Sequence, residues 1–239
     1  AGALLHYLMD FPVGQTRLDG HLTFLLANLA YEHEDGRLAV LQMLNTVLSK
    51  FPPAALAPRS DLIYVPLVGR LANDTRPACQ TAGGRALEVL LTRIPRPDVD
   101  RSFAMALAWM AKADARLQRT GVQLVGIFVK AAVRLKDNKN TLYACVEEGV
   151  TALLLVMAAA AEAEYEADGS HGKGAWHAAY LALVSLEQVL SAVPDFATRY
   201  PDVAPVAWET VAELVGHQHT WIRRGSARII GLALAQPEA

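Results

Sequence analysis

With 239 residues and a formal charge of −2, the chain can hold a sizeable core or about five helical repeats of ~40–47 residues, and it has no global attraction for nucleic acid. It is 53% hydrophobic, and that share comes largely from Ala and Leu, which favour helix, while period-two runs of Val, Ile and Thr that would mark strands are missing. The longest apolar run, Gly149 to Ala161, falls short of the ~18–20 residues that span a membrane, so it reads as a buried helix and no membrane partner is expected.

Taken in order, residues 3–9 read as the end of a helix, stopped by Asp10-Phe11-Pro12-Val13-Gly14 because Pro12 pushes Phe11 out of helical geometry. Ala1 is not a Met and helical sequence starts at once, so the chain reads as a piece from inside a longer protein. Arg17 to Tyr31 carries Leu18, Leu22, Leu25, Leu26 and Leu29 on one helical face. After the turn Glu32 to Gly36, where Asp35 can cap, a helix is predicted from Arg37 to Ser49. Ser60-Asp61, a good cap pair, opens the next helix, which contains Pro66 and ends at Asn73-Asp74-Thr75-Arg76. Pro77 suits the first position of a helix over residues 78–93, where Ala82, Gly83, Gly84 and Ala86 invite close approach of a neighbour. Asp98 is expected to cap a helix with Phe103, Leu107 and Trp109, and Leu117 to Leu135 follows the turn at Asp114.

The turns repeat. Asp35-Gly36-Arg37, Asp74-Thr75-Arg76 and Asp114-Ala115-Arg116 are spaced by 39 and 40 residues, with two apolar helical runs per period. That period predicts an all-α fold, a HEAT or armadillo-like α-solenoid of antiparallel helix pairs. The whole of 1–239 reads as one solenoid segment, with regular repeats over 15–135. Residues 136–205 read as an irregular repeat with an inserted loop, and 206–235 as a final helix pair. The irregular stretch holds a polar linker at 136–140, a long helix from Thr141 to Tyr165, the acidic exit Glu162, Glu164, Glu166 and Asp168, a loop over 168–174 and a helix from Trp176 to Ala192. Aligning Gly126 with Gly231 leaves 105 residues, which is one ordinary step of 40 and one enlarged step of 65.

Two readings of the repeated Asp-x-Arg compete. Arg37, Arg76 and Arg116 could line up to grip phosphates. Alternatively, Asp35, Asp74 and Asp114 could pair with arginines of the same or next repeat in a structural ladder, and dependence on nearest neighbours favours this reading. Trp221, Arg223, Arg224 and Arg228 form a small basic patch flanked by an aromatic, suited to RNA or an acidic partner.

Catalytic signatures fail on inspection. The loop Gly169-Ser170-His171-Gly172-Lys173-Gly174 lacks the first Gly, the hydroxyl residue after Lys173 and the preceding strand of a phosphate loop. His33, His217 and His219 have no third metal partner at a useful spacing and read as solvated turn residues. No Gly-x-Ser-x-Gly elbow occurs, and Cys79 and Cys145 read as buried thiols. The residues therefore predict no enzyme: no catalytic, cofactor-binding or metal residue, no cofactor and no small-molecule substrate.

A family resemblance follows from longer blocks. Leu4-Leu5, Asp10-Phe11-Pro12, His21-Leu22-Thr23-Phe24-Leu25, Asn28 to Glu34 with Gly36-Arg37, and Phe51-Pro52 carry its first part. Val65-Pro66-Leu67, Leu71-Ala72-Asn73-Asp74, Trp109, Gln123 to Val129, Trp221-Ile222-Arg223, Ala227-Arg228 and Gly231-Leu232 continue it. Together they resemble the very large HEAT-repeat scaffold family of the small-subunit processome, the U3 small nucleolar RNA-associated protein 20 or Down-Regulated In Metastasis family. The resemblance implies a nucleolar scaffold in 40S subunit maturation and pre-ribosomal RNA processing. Its implied partners are pre-ribosomal RNA, the U3 ribonucleoprotein and processome proteins, and it supplies no catalytic residue. The loop at 168–174 and Ala158 to Ala161 have no counterpart in it. The rival reading is a HEAT adaptor of transport or kinase pathways; an all-helical enzyme using the 169–174 loop is a third.

Overall fold

In the computed structural model, residues 15–112, 114–134, 139–162 and 175–235 are described, and all regular structure among them is helical. The readings made for residues 3–14, for Glu164, Glu166 and Asp168 and for the 168–174 loop lie outside these residues. The helices are α1 (Gln15–Ala27), α2 (Glu34–Lys50), α3 (Ser60–Asn73), α4 (Pro77–Leu91), α5 (Arg96–Met110), α6 (Ala115–Arg134), α7 (Lys139–Glu162), α8 (Ala175–Ala192), α9 (Ala204–Leu214) and α10 (Thr220–Ala235). One-turn helices at Pro53–Leu56 and Phe196–Arg199 and short 3-10 segments fill the connections. The chain divides into two compact units, Ala1–Arg101 and Ser102–Ala239.

The first unit stacks helix pairs in two rows. The first helices of the pairs, α1 and α3, lie side by side, and so do the second helices, α2 and α4. Short turns force the two members of each pair to run antiparallel. The apolar stripes of all four helices meet between the rows, where Leu41, Leu44, Leu48, Leu56, Ile63, Leu67, Leu87 and Leu90 are fully buried. This is a HEAT/armadillo-like α-solenoid arrangement. The small residues of α4 act as expected: Gly83 is buried, a Cβ built there would sit 4.0 Å from Leu41 Cδ2, and Asn45 Nδ2 donates to the Ala82 carbonyl at 3.5 Å.

Polar contacts along the rows recur at one period. Arg59 pairs with Asp19, 40 residues away, and Arg101 Nη2 donates to Asp61 Oδ1 at 2.9 Å, also across 40. Arg70 Nη1 donates to the Leu29 carbonyl at 2.7 Å, across 41, and Arg93 to the Phe51 carbonyl, across 42. The repeat of the sequence is therefore also the step of the stack.

Three helix starts differ from the sequence expectation. Helix α2 begins at Glu34, so Asp35 lies inside its first turn, and its N-cap residue His33 makes no side-chain cap. Helix α5 begins at Arg96, not after Asp98, because Pro97 fits a first turn where its missing N–H costs nothing. Asp98, within that turn, instead accepts from Ser60 Oγ at 3.2 Å and Arg101 Nη2 at 2.9 Å. Ser60 and Asp61 open α3 without capping it, because a 3-10 turn at Ala57–Arg59 runs directly into the helix.

The second unit repeats the plan: α6, α8 and α10 form one row, and α7 and α9 lie beside each other. Its steps are unequal. Ser185 Oγ on α8 donates to the Val122 carbonyl on α6 at 3.0 Å across 63 residues, whereas Arg228 on α10 pairs with Glu187 on α8 across 41. Glycines set the α6 contacts. A Cβ on Gly126 would stand 2.8 Å from Ser185 Oγ and 2.9 Å from Gln188 Oε1, and one on Gly121 2.6 Å from the Ala106 carbonyl oxygen.

Substituting Gly126→Val should therefore cost about 1–3 kcal/mol through overpacking. Gly83→Ala, which meets only an ordinary contact and gains helix propensity, should be neutral or stabilising by up to about 1 kcal/mol. Urea denaturation of the two variants beside the parent chain measures both.

Candidate functional site

The arginines of the inter-helix turns divide into three situations. Arg37 is the most constrained. It sits at the fourth position of α2, where its guanidinium reaches back over the turn it follows. Nη1 donates to the carbonyls of Tyr31 at 3.0 Å and Glu32 at 2.7 Å. Its other edge donates to Asp74, Nε to Oδ2 at 2.8 Å and Nη2 to Oδ1 at 3.1 Å, a bidentate pair that joins one repeat to the next. The Tyr31 ring lies over Gly36, where a Cβ would come within 2.2 Å of it, and meets His33 edge-on.

Asp74 is the acceptor on which the joint closes. Its side chain is 1% exposed, it takes the Arg76 amide at 3.0 Å, and Arg70 Nε stands 3.5 Å away. Burial alone would push its carboxyl up. The Arg37 hydrogen bond, the Arg76 amide and the charges of Arg37 and Arg70 together more than offset that, and hold it below the usual carboxylate range. The Asp74 hydrogen bond likewise raises the Arg37 guanidinium. Cys79 sits against this joint; burial and the Asp74 charge push its thiol up, so it stays protonated and inert.

The remaining turn residues are not equivalent to that pair. Arg76 is exposed and meets Glu34 at 3.3 Å, not an aspartate. Asp114 is exposed and caps α6, taking the amides of Arg116 at 2.8 Å and Leu117 at 2.9 Å, which lower its pKa. Arg116 is exposed beside it. Asp35 is exposed in the first turn of α2. The structure thus brings Arg37 and Asp74 together, and leaves Asp35, Arg76 and Arg116 at the surface.

At the start of α10, the basic patch is partly committed. Arg223 Nη1 donates to the carbonyls of His217 at 2.9 Å and Gln218 at 2.6 Å, and Nη2 to Thr220 Oγ1 at 3.2 Å. Arg228 is held by Glu187. Trp221, 54% exposed, meets Tyr180 edge-on, and Arg224 is exposed beside it. Sequence reasoning missed the histidines here. His219 stacks on Trp176 at 3.8 Å, Trp176 also stacks on His177, and the His217 and His219 rings accept backbone amides of the same turn. His217 is not a solvated turn residue: burial pushes its pKa down, against a hydrogen bond that its ring donates to the Ala160 backbone, and the His219 and Arg223 charges push it further the same way. The missed signal is the spacing of His217 and His219 directly before a helix, which suits ring nitrogens to caps. Among the described residues, no cluster of three or more metal-ligating side chains occurs, and no helix is long and apolar enough to cross a membrane.

The fold and these joints define an all-α helical-repeat protein, a HEAT/armadillo-like α-solenoid. Its sequence is similar to U3 small nucleolar RNA-associated protein 20 of Schizosaccharomyces pombe, 27% identical over 94% of this chain, and to the protein of that name in Saccharomyces cerevisiae, 21% identical over 97% of it. The resemblance read from the residues is thus carried over nearly the whole chain, which spans about 9% of the length of these curated relatives. No family model matches. Among solved structures, a designed armadillo repeat protein is similar at 10% identity and a TM-score of 0.34, covering 89% of this chain and 99% of its own.

Truncating Asp74→Ala leaves the Arg37 charge buried without its acceptor and should cost about 3–5 kcal/mol in chemical denaturation. The pH dependence follows from the lowered carboxyl. Its contribution is complete above the unfolded value, about pH 4, and is lost as pH falls through the folded value. Below about pH 4 the parent chain should lose stability more steeply with falling pH than Asp74→Asn, as measured by urea midpoints at each pH.

Proposed function

We propose that the chain is a non-catalytic scaffold segment acting in ribosome biogenesis, within the small-subunit processome and in pre-ribosomal RNA processing, in the nucleolus. The observation that carries this reading is the similarity over nearly the whole chain to two proteins named for association with the U3 small nucleolar RNA. The geometry supports the scaffold character. Charged side chains that in an enzyme would converge on a cleft are here committed to neighbouring repeats, as in Arg37–Asp74, Arg59–Asp19 and Arg228–Glu187. The partners proposed are pre-ribosomal RNA and processome proteins, including the U3 ribonucleoprotein.

Within that role, the RNA-facing contact is assigned to Trp221 and Arg224. An exposed indole offers a stacking face, and Arg224 is the arginine of the patch without a partner among the described residues. Arg223 and Arg228 contribute less, because each would have to give up an existing bond.

Crosslinking the protein to RNA in cells and sequencing what is recovered tests compartment and partner together. Pre-ribosomal RNA and U3 RNA should be enriched; recovery of neither, with transport or kinase partners co-purifying instead, would establish the adaptor reading. In vitro, Trp221→Ala with Arg224→Ala should weaken binding to structured RNA by about 1–3 kcal/mol and lower the salt slope by about one. Arg223→Gln should change that slope little.

A further inference from the structure

The turn over residues 215–219, between α9 and α10, fastens two helices that come earlier in the chain. The His217 ring donates to the backbone of Ala160, near the end of α7. The His219 ring stacks on Trp176, at the start of α8, with centroids 3.8 Å apart and an interplanar angle of 16°. His177 stacks on the same indole at 3.9 Å. One turn thus holds the end of α7 and the start of α8 at once. These are the two ends of the connection across which the stack takes its enlarged step, the 63 residues from Val122 to Ser185.

The arrangement requires a neutral His217. Its Nδ1 accepts the His219 amide at 3.0 Å, so the single ring proton sits on Nε2, the nitrogen left to donate to α7. The two nitrogens are committed in opposite senses. A proton added at Nδ1 turns the acceptor into a donor aimed at another donor, and the His219 amide loses its partner. The backbone is not free to yield, because Arg223 Nη1 holds the carbonyls of His217 at 2.9 Å and Gln218 at 2.6 Å. Among the described residues, no acid stands by to stabilise an imidazolium. The charged and titratable groups facing His217 are His219 of its own turn and Arg223 of α10. Helix α7 presents a carbonyl, α9 gives the Leu214 carbonyl to the His217 amide, and α8 meets the turn through Trp176 with His177 on it. Burial and the two neighbouring charges keep the ring below the usual histidine value, so the closed turn excludes the proton and the open one accepts it.

We propose that this turn is a proton-released clamp. With His217 neutral it ties the end of α7 to the start of α8. A proton taken from solvent at Nδ1 breaks the bond from the His219 amide, and the His219 ring then leaves Trp176. The release reaches α10 as well, since His219 Nδ1 accepts the Trp221 amide at 3.3 Å. The clamp stands without the RNA reading, because neither His217, His219 nor Trp176 belongs to the contact assigned to RNA.

Hydrogen exchange of the intact protein tests this between about pH 7.5 and 5.5, well above the range in which Asp74 takes up its proton. Each amide is read by mass spectrometry with residue-level fragmentation, and exchange times are scaled to the intrinsic rate at each pH. The His219 amide should be protected at the upper end. Its opening should grow severalfold, and by no more than about tenfold, as pH falls one unit below the unfolded histidine value of about 6.5. Hydroxyl-radical labelling of Trp176 should rise over the same interval. In His217→Asn, whose side-chain oxygen accepts an amide two residues on and does not titrate, both readouts should stay level. Unchanged protection of His219 in the parent protein would overturn the clamp, with no variant needed. An equal rise in His217→Asn would overturn its assignment to His217.

Discussion

The Arg37–Asp74 pair sets the terms for the repeat stack around it. One guanidinium performs two tasks with two edges: it closes the turn behind it through carbonyl oxygens and grips the next repeat through a carboxylate. Neither task is separable from the other, because the planar fork fixes the angle between them. The carboxylate is almost wholly enclosed, so the pair is little screened by salt. The exposed links of the same stack, Arg101–Asp61 and Arg76–Glu34, contribute orientation more than energy. The fold therefore relies on apolar burial for stability and on a few enclosed ions for register.

Much of the architecture was legible in the sequence, for a physical reason. An apolar stripe at helical spacing, punctuated by Pro and Gly, leaves few alternatives to a helix pair, and a pattern recurring at 40 leaves few alternatives to a stack. Helix starts were less legible. Asp35 resembles a cap in the sequence, yet α2 begins before it, at Glu34, and the residue at the cap position, His33, makes no side-chain cap.

The candidate site was legible only in part. The sequence placed Asp and Arg at a common period, but period alone treats Asp35, Asp74 and Asp114 as copies. Burial separates them: Asp74 is enclosed between two repeats, and the other two stand in solvent. Likewise, Arg223, Arg224 and Arg228 form one patch in sequence and three environments in space, since side chains one and five positions apart on a helix face different neighbours. The stacked Trp176 and His219 could not be paired from sequence, because Trp176 lies on α8 and His219 in the turn before α10, and nothing in their spacing links them.

The division of each joint between two repeats bears on how such a chain can change in length. In Arg37–Asp74 the earlier repeat supplies the base and the later one the acid, whereas in Arg59–Asp19, Arg101–Asp61 and Arg228–Glu187 the acid comes from the earlier repeat. A whole repeat that keeps the direction of its joints can be gained or lost and the flanking acid and base still meet. A partial insertion is tolerated only where no joint is interrupted, as across the 63 residues separating Val122 from Ser185, where a hydroxyl and a glycine contact make the link in place of an ion pair. Length variation in this chain is thus directed toward neutral joints, and the charged ones act as its fixed units of count.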